Sequence, residues 1–283
     1  HRVDRRQRQM CIRDRFLAVM GSSCASLEKA GYRGWITIRG QGAAERTSGQ
    51  RQIALCCRAS QDGAWPITAQ KDVFMTIRAV VFDFGGVLFD WSPHHLYRQL
   101  IPDDERRQWF LDTICTQAWN TRQDAGRSLA EATRSLVAEH PDHAPLIEAY
   151  YGRWPEMLKG PLDQGVALLE ELHQAQVPLF GLTNWSRETF PYAWDNYPFL
   201  QRFRDIVVSG QERQIKPDAE IYHTTLGRIR AHLPGVAPEE LVFIDDHAPN
   251  IVAATALGWH AIHHVTAAET RRRLEELGVV RAH

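Results

Sequence analysis

No apolar run in the 283 residues approaches the roughly 18 that a membrane-crossing helix needs. No short apolar segment stands before a small-residue cleavage site either, so a cytoplasmic protein with no membrane partner is expected. Cysteine is scarce: Cys11, Cys24, Cys56 and Cys57 lie before residue 75, and Cys115 alone lies beyond it. No C-x-x-C pair occurs, which excludes a disulfide framework and a thiolate metal site of ordinary spacing. Charge of one sign is lacking as well. A net charge of -1 offers no basic surface for phosphate backbones, so no nucleic-acid partner is expected. Internal repeats and low-complexity tracts are absent beyond residue 75, which excludes solenoids and arrays. Nothing signals an oligomer, and a monomer is the default.

A hydrophobic fraction of 44% is enough to fill a sizeable core, and the length suits one or two domains. The near-zero charge hides an asymmetry. Residues 1–74 hold 13 Lys/Arg against 6 Asp/Glu, whereas residues 75–283 hold 20 against 28. Met75 opens MTIRAVVFDF, which reads as a natural start just before the first strand signal. Residues 1–74 therefore read as an extension, non-native or disordered, in which MCIRDR resembles translated adapter sequence. An Arg-rich transit peptide and a small basic interaction domain are the rival readings of that segment.

From residue 75 onward, strand and helix signals alternate. Apolar runs predict strands at Ala79–Asp83, Val177–Leu182, Asp205–Ser209, Leu241–Asp245 and Ala261–Val265. Helical spacing predicts helices over Ser128–Glu139, Pro145–Trp154, Gln164–Gln176, Pro217–Arg230, Pro249–Leu257 and Ala267–Leu277. Alternation of this kind implies an α/β fold with a doubly wound, Rossmann-like parallel sheet. The stretch after the first strand is helical and too long for one crossover. It reads as an inserted helical cap over 92–158, with 75–91 and 159–283 forming the core domain.

Polar groups stand where the predicted strands end. Asp83 ends the first, just before Gly85 and Gly86; Thr183 and Asn184 end the second; Asp245 and Asp246 end the fourth. Lys216 sits in QIKPD directly before a helix. In a parallel sheet, carboxyl ends converge on one edge, where open α/β sheets bind their ligands. Three carboxylates that meet there repel one another and need a cation; Mg²⁺ suits an all-oxygen set. One carboxylate is then free to attack phosphorus and form an aspartyl-phosphate. Lys216 would offset the negative charge. Thr183 and the backbone N–H groups after Asp83 would donate to phosphoryl oxygens. Taken singly, each group has a plainer reading: turns at Asp83 and Thr183-Asn184, a solvated helix start at Lys216-Pro217, an N-cap at Asp246.

The four segments FDFGGVL, LTN, KPDAEIY and FIDDHAPNIVAATALG, in that order, resemble the motifs of the haloacid dehalogenase superfamily over residues 75–283. The resemblance implies Asp83 as nucleophile, Thr183 as phosphoryl ligand and Lys216 as the residue that orders the charges. It further implies substrate contacts at Phe84, Gly85, Asn184 and Trp185, and a Mg²⁺ site at Asp83, Gly85, Asp245 and Asp246. One position departs from the pattern. The family's phosphatases usually carry a second Asp two residues after the nucleophile, as general acid; here Gly85 stands there. A small phosphorylated metabolite whose leaving group departs easily is then expected, such as a sugar 1-phosphate. The stretches FDFGGVLFD, LTNWSRETF and SGQERQIKPDAEIY look similar to the α-D-glucose-1-phosphate phosphatase-like branch. The alternatives are a metal-independent 2-haloacid dehalogenase, whose halide needs no proton, and a catalytically weak binding scaffold.

Aromatic residues are dense in and beside the cap: Trp91, Trp119, Tyr151, Trp154, Trp185 and Trp194. They suit core filling, and Trp185, next to Asn184, is the best candidate for stacking on a substrate ring. His94, His95 and His247 are candidates to replace the missing acid, although His94 and His95 also suit a helix start. His260, His263 and His264 are not expected to share a metal, because alternation puts His263 and His264 on opposite faces of a strand.

Overall fold

The structure, a computed structural model, describes residues 76–281. The expectations for residues 1–74 fall outside these described residues. Five parallel strands form the central sheet: β1 (Ala79–Phe82), β4 (Leu179–Thr183), β5 (Asp205–Val208), β6 (Leu241–Asp245) and β7 (His260–His263). Their order is β5-β4-β1-β6-β7. β1 pairs with β4 on one side, Phe82 opposite Gly181, and with β6 on the other, Phe82 opposite Ile244. The chain order thus reverses at β1, which makes the carboxyl end of β1 the sheet's switch point. The α/β fold with a parallel sheet is as the alternating signals predict.

Each face of the sheet is covered. Val80 and Phe82 join one apolar cluster, and Ala79 and Val81 the other, as period-two alternation requires. Burial on both faces explains why β1, β4 and β6 read as unbroken apolar runs.

A short antiparallel ribbon of β2 (Phe89–Trp91) and β3 (Leu158–Pro161) leaves and rejoins this core. Between them stand α1 (Pro93–Leu100), α2 (Asp104–Thr113), α3 (Gln117–Asp124), α4 (Leu129–Glu139) and α5 (Ala144–Gly152). The two ends of the excursion are tied together by the Ser92 N–H, which donates to Met157 O at 2.9 Å. The remaining helices are α6 (Asp163–Gln174), α7 (Phe190–Asn196), α8 (Ser209–Glu212), α9 (Ala219–His232), α10 (Ala248–Ala256) and α11 (Ala267–Glu276).

Several boundaries differ from the sequence expectation, for local reasons. Pro217 does not occupy the first turn of its helix. Asp218, in an extended conformation, is the N-cap, and α9 begins at Ala219. α2 and α3 were not individually predicted because DERRQWFLDT and QAWNTRQD carry no apolar stripe. Their starts are set by caps instead: Asp103 accepts from the Arg106 N–H and Thr116 from the Trp119 N–H. β2 and β3 are three and four residues long, too short to show a period.

Candidate active site

β1, β4 and β6 are neighbours, so Asp83, Thr183 and Asp245 emerge side by side at one sheet edge. The Asp83 N–H continues the ladder to Ile244 O at 2.8 Å, which fixes the height of its carboxylate relative to Asp245. Lys216 reaches in from the segment before α9. Its Nζ lies 2.8 Å from Asp83 Oδ1 and 2.7 Å from Asp245 Oδ2. Asp246 completes a trio with Asp83 and Asp245 in which one oxygen from each lies within 4.8 Å of the others. Among the described residues, this is the only group of three or more metal-type side chains so arranged. The three C-terminal histidines do not join it. His263 Nε2 contacts Asp246 O at 2.9 Å, and His264 Nδ1 contacts Thr270 Oγ1 at 2.8 Å.

The electrostatics follow from burial. Asp83 is 7% exposed, Asp245 0% and Lys216 3%. Burial pushes the Asp83 carboxyl up to about 8; the Lys216 ammonium opposes this, and the Asp245 charge adds to it. Burial alone would lower Lys216, but the carboxylates of Asp83 and Asp245 outweigh it and hold the ammonium above its usual range. Asp246 is raised by partial burial and then by the charge of Asp245. Three carboxylates face one ammonium, so an excess of negative charge is left for a cation to neutralise. All the donors are hard oxygens, and they fit a small divalent ion.

Residues to which the sequence reading gave no such part hold this arrangement. Asn250, on α10, donates from Nδ2 to both Asp245 oxygens at 3.0 Å. The His247 N–H donates to Asp245 Oδ1 at 2.8 Å, and His247, rather than Asp246, caps α10. Both oxygens of Asp245 therefore have donors, which keeps a buried carboxylate tolerable. Asn250 lies inside the fourth motif, so its position carried a signal; its role did not. Gly86 has φ +67°, and a Cβ there would overlap the Asp246 carboxylate. The second glycine after Asp83 is thus a space requirement of the acidic cluster.

Among the predicted site residues, Gly85, Thr183, Asn184 and Trp185 line one cavity of about 130 Å³. Both polar atoms of the Asn184 amide are committed to Lys216: Nδ2 donates to Lys216 O and Oδ1 accepts from Lys216 N–H, each at 2.9 Å. Asn184 thereby positions the ammonium. The Phe84 ring is fully buried, packed on Trp185, Phe89, Phe190 and Phe203. Its N–H donates to Asp83 Oδ1 at 2.6 Å, so only the main chain of Phe84 belongs to the site. Trp185 is 7% exposed and contributes one face to the cavity, while its Nε1–H donates to Thr189 Oγ1 at 3.0 Å. Trp91, Tyr151 and Trp154 complete the aromatic wall; Trp119 and Trp194 do not line it. His95 contacts Asp90 at 2.8 Å, and none of His94, His95 and His247 faces the cavity.

Residues 77–258 match the haloacid dehalogenase-like hydrolase family. The chain belongs to that family. It is a hydrolase built on the family's fold. A sesquiterpene phosphatase, astK, of Aspergillus oryzae is 27% identical over 203 residues, spanning 71% of this chain and 97% of that protein. A haloacid dehalogenase family enzyme of Bacteroides thetaiotaomicron shares the fold with a TM-score of 0.51 at 19% identity, covering 70% of this chain and 98% of that one. A predicted hydrolase of the same family from Porphyromonas gingivalis does so with a TM-score of 0.51 at 21% identity, over 70% and 98% of the two chains. No helix among the described residues is long and apolar enough to cross a membrane.

Proposed function

We propose that this hydrolase is a Mg²⁺-dependent phosphatase of a small phosphorylated metabolite, working through a phosphorylated Asp83. The observation that carries the reading is the meeting of Asp83, Asp245, Asp246 and Lys216 next in the chain to residues, Gly85, Thr183 and Asn184, that line a walled cavity. Asp83, Asp245 and Asp246, with the Gly85 main chain, would hold the cation, which supplies charge neutralisation between an anionic nucleophile and an anionic phosphoryl group. Asp83 attacks phosphorus; the bond to the leaving oxygen breaks; water later cleaves the acyl phosphate and restores Asp83. Lys216, gripped by the Asn184 amide, keeps the nucleophile oriented and offsets charge as the phosphoryl group transfers. Thr183, at the end of β4, donates to a phosphoryl oxygen. The cap helices over the cavity exclude water from it.

The paired acids at Asp245 and Asp246 favour phosphoryl transfer over dehalogenation, which needs no metal site. Gly85 leaves no acid at the usual place, so an anomeric oxygen, which departs with little help, makes a sugar 1-phosphate one preferred substrate. Likeness to a sesquiterpene phosphatase supports adding a sesquiterpene phosphate to the substrate panel, and the aromatic wall suits either body.

A panel of phosphorylated metabolites, assayed for released phosphate with Mg²⁺ and with a chelator, tests the reading. Turnover is expected only with the metal, and Asp83→Asn is expected to lower it by roughly a thousandfold or more. Halide release without metal would instead support the dehalogenase. Mg²⁺ binding with no phosphoester turned over would leave a binding scaffold.

A further inference from the structure

The acid absent at Gly85 has a counterpart across the cavity. A Cβ at Gly85 would meet nothing within 4 Å, so that side of the cavity is open. Facing into the same cavity is α3 of the helical excursion, through Gln117, Asn120, Thr121 and Asp124. These positions are spaced i, i+3, i+4 and i+7, so a single polar stripe of one helix looks toward the nucleophile's loop. Asp124 is the only acidic side chain that lines this cavity.

Resting on the phosphatase reading, we propose that Asp124 is the catalytic acid of this enzyme, supplied by the cap helix in place of the residue that Gly85 lacks. As the bond from phosphorus to the leaving oxygen breaks, its electron pair passes to that oxygen, which takes the proton of the Asp124 carboxyl. The products of this step are the free alcohol, the Asp83 acyl phosphate and the Asp124 carboxylate. In the second step the carboxylate accepts a proton from the attacking water, phosphate leaves Asp83, and the Asp124 carboxyl is restored.

The side chain is held for such a task. Asn120 Nδ2 donates to Asp124 Oδ2 at 2.9 Å; Tyr151 Oη donates to Asn120 Oδ1 at 2.9 Å; Gln123 Nε2 donates to Tyr151 Oη at 2.9 Å. The Ser186 N–H also bonds the carboxylate. Burial outweighs that bond and pushes the Asp124 carboxyl up to about 7. Near neutral pH the group is then divided between proton donor and acceptor, as two-step acid–base work needs. Tyr150 and Tyr151 face it across the packing; both are raised, first by burial and further by the Asp124 charge, and are thus neutral. The helix end is docked as well: Ser209 Oγ donates to Asp124 O at 2.6 Å, and the same hydroxyl accepts from the Trp185 N–H at 2.9 Å.

Those contacts suit a plain latch between cap and core too, so the test must separate chemistry from docking. A proton donor matters in proportion to the basicity of the leaving oxygen; a latch does not. Wild type and Asp124→Asn are compared with Mg²⁺ on p-nitrophenyl phosphate and on an alkyl phosphate such as glycerol 2-phosphate. The variant is expected to lose ~10²–10⁴-fold in kcat/KM, which reports the transfer to Asp83 and not the later hydrolysis, on the alkyl ester and under about tenfold on the aryl ester. Equal losses on both overturn the proposal while leaving the phosphatase intact. The wild type alone gives a second measurement should the variant not fold. Across a series of aryl and alkyl phosphates its kcat/KM should depend weakly on leaving-group pKa, and a steep dependence overturns the proposal. Failure of the wild type to hydrolyse any of these esters overturns the phosphatase reading and the acid with it.

Discussion

Lys216 shows how one side chain can hold a site together. It is buried between Asp83 and Asp245, and each of those carboxylates is itself nearly or wholly buried. Removing one partner of such a group leaves uncompensated charge, which typically costs about 3–5 kcal/mol. Lys216→Met, which keeps most of the volume, is expected to fall in this range by urea unfolding at pH 8. The loss should shrink toward pH 5. Without the ammonium, the folded-state pKa of Asp83 rises further above its unfolded value. Wild type holds the same proton below about pH 7, so the two stability curves part only near pH 8, where wild type has begun to release the proton that the variant keeps. A loss that grows toward acid pH would contradict this account. The same logic explains the donors around Asp245, where Asn250 and the His247 N–H satisfy oxygens that no solvent reaches.

Elements approach one another most closely where glycine permits it. At the start of α6, a Cβ on Gly165 would overlap the carbonyl oxygen of Val87, in the loop that follows Asp83. Gly165→Ala should therefore push α6 away from that loop and destabilise the fold by about 1–3 kcal/mol. Chemical denaturation should show a lower midpoint with an unchanged slope, since the surface exposed on unfolding is the same. An unaltered midpoint would mean that the helix shifts without cost. α3 illustrates the opposite situation. Its cavity-facing stripe is polar, so it offers no hydrophobic period to read, and its start is set by the Thr116 cap alone. Helices whose inner face serves a ligand are invisible to apolar patterning for that reason.

The described residues supply five strands of the sheet, two apolar layers and the groups of the candidate site. The family match likewise begins at residue 77. A chain started at Met75 is expected to keep the thermal midpoint and the phosphate release of the full chain, with calorimetry and the phosphate assay as checks. A drop in either would show that residues 1–74 contribute to the folded enzyme. Much of this molecule was readable without coordinates. Unbroken apolar runs ending in Asp83, Thr183 and Asp245 are local features, and together with helix periods they determined the α/β class, the parallel sheet and the sheet edge at which these groups stand. Adjacency was a different matter. That β1 lies between β4 and β6, that Asn184 grips Lys216, and that Gly86 makes room for Asp246 depend on pairings between distant segments. Only packing decided that Asp124 and Gly85 would share one cavity, because periodicity encodes which face of an element is apolar, whereas the partner across a polar face is chosen by the tertiary fold.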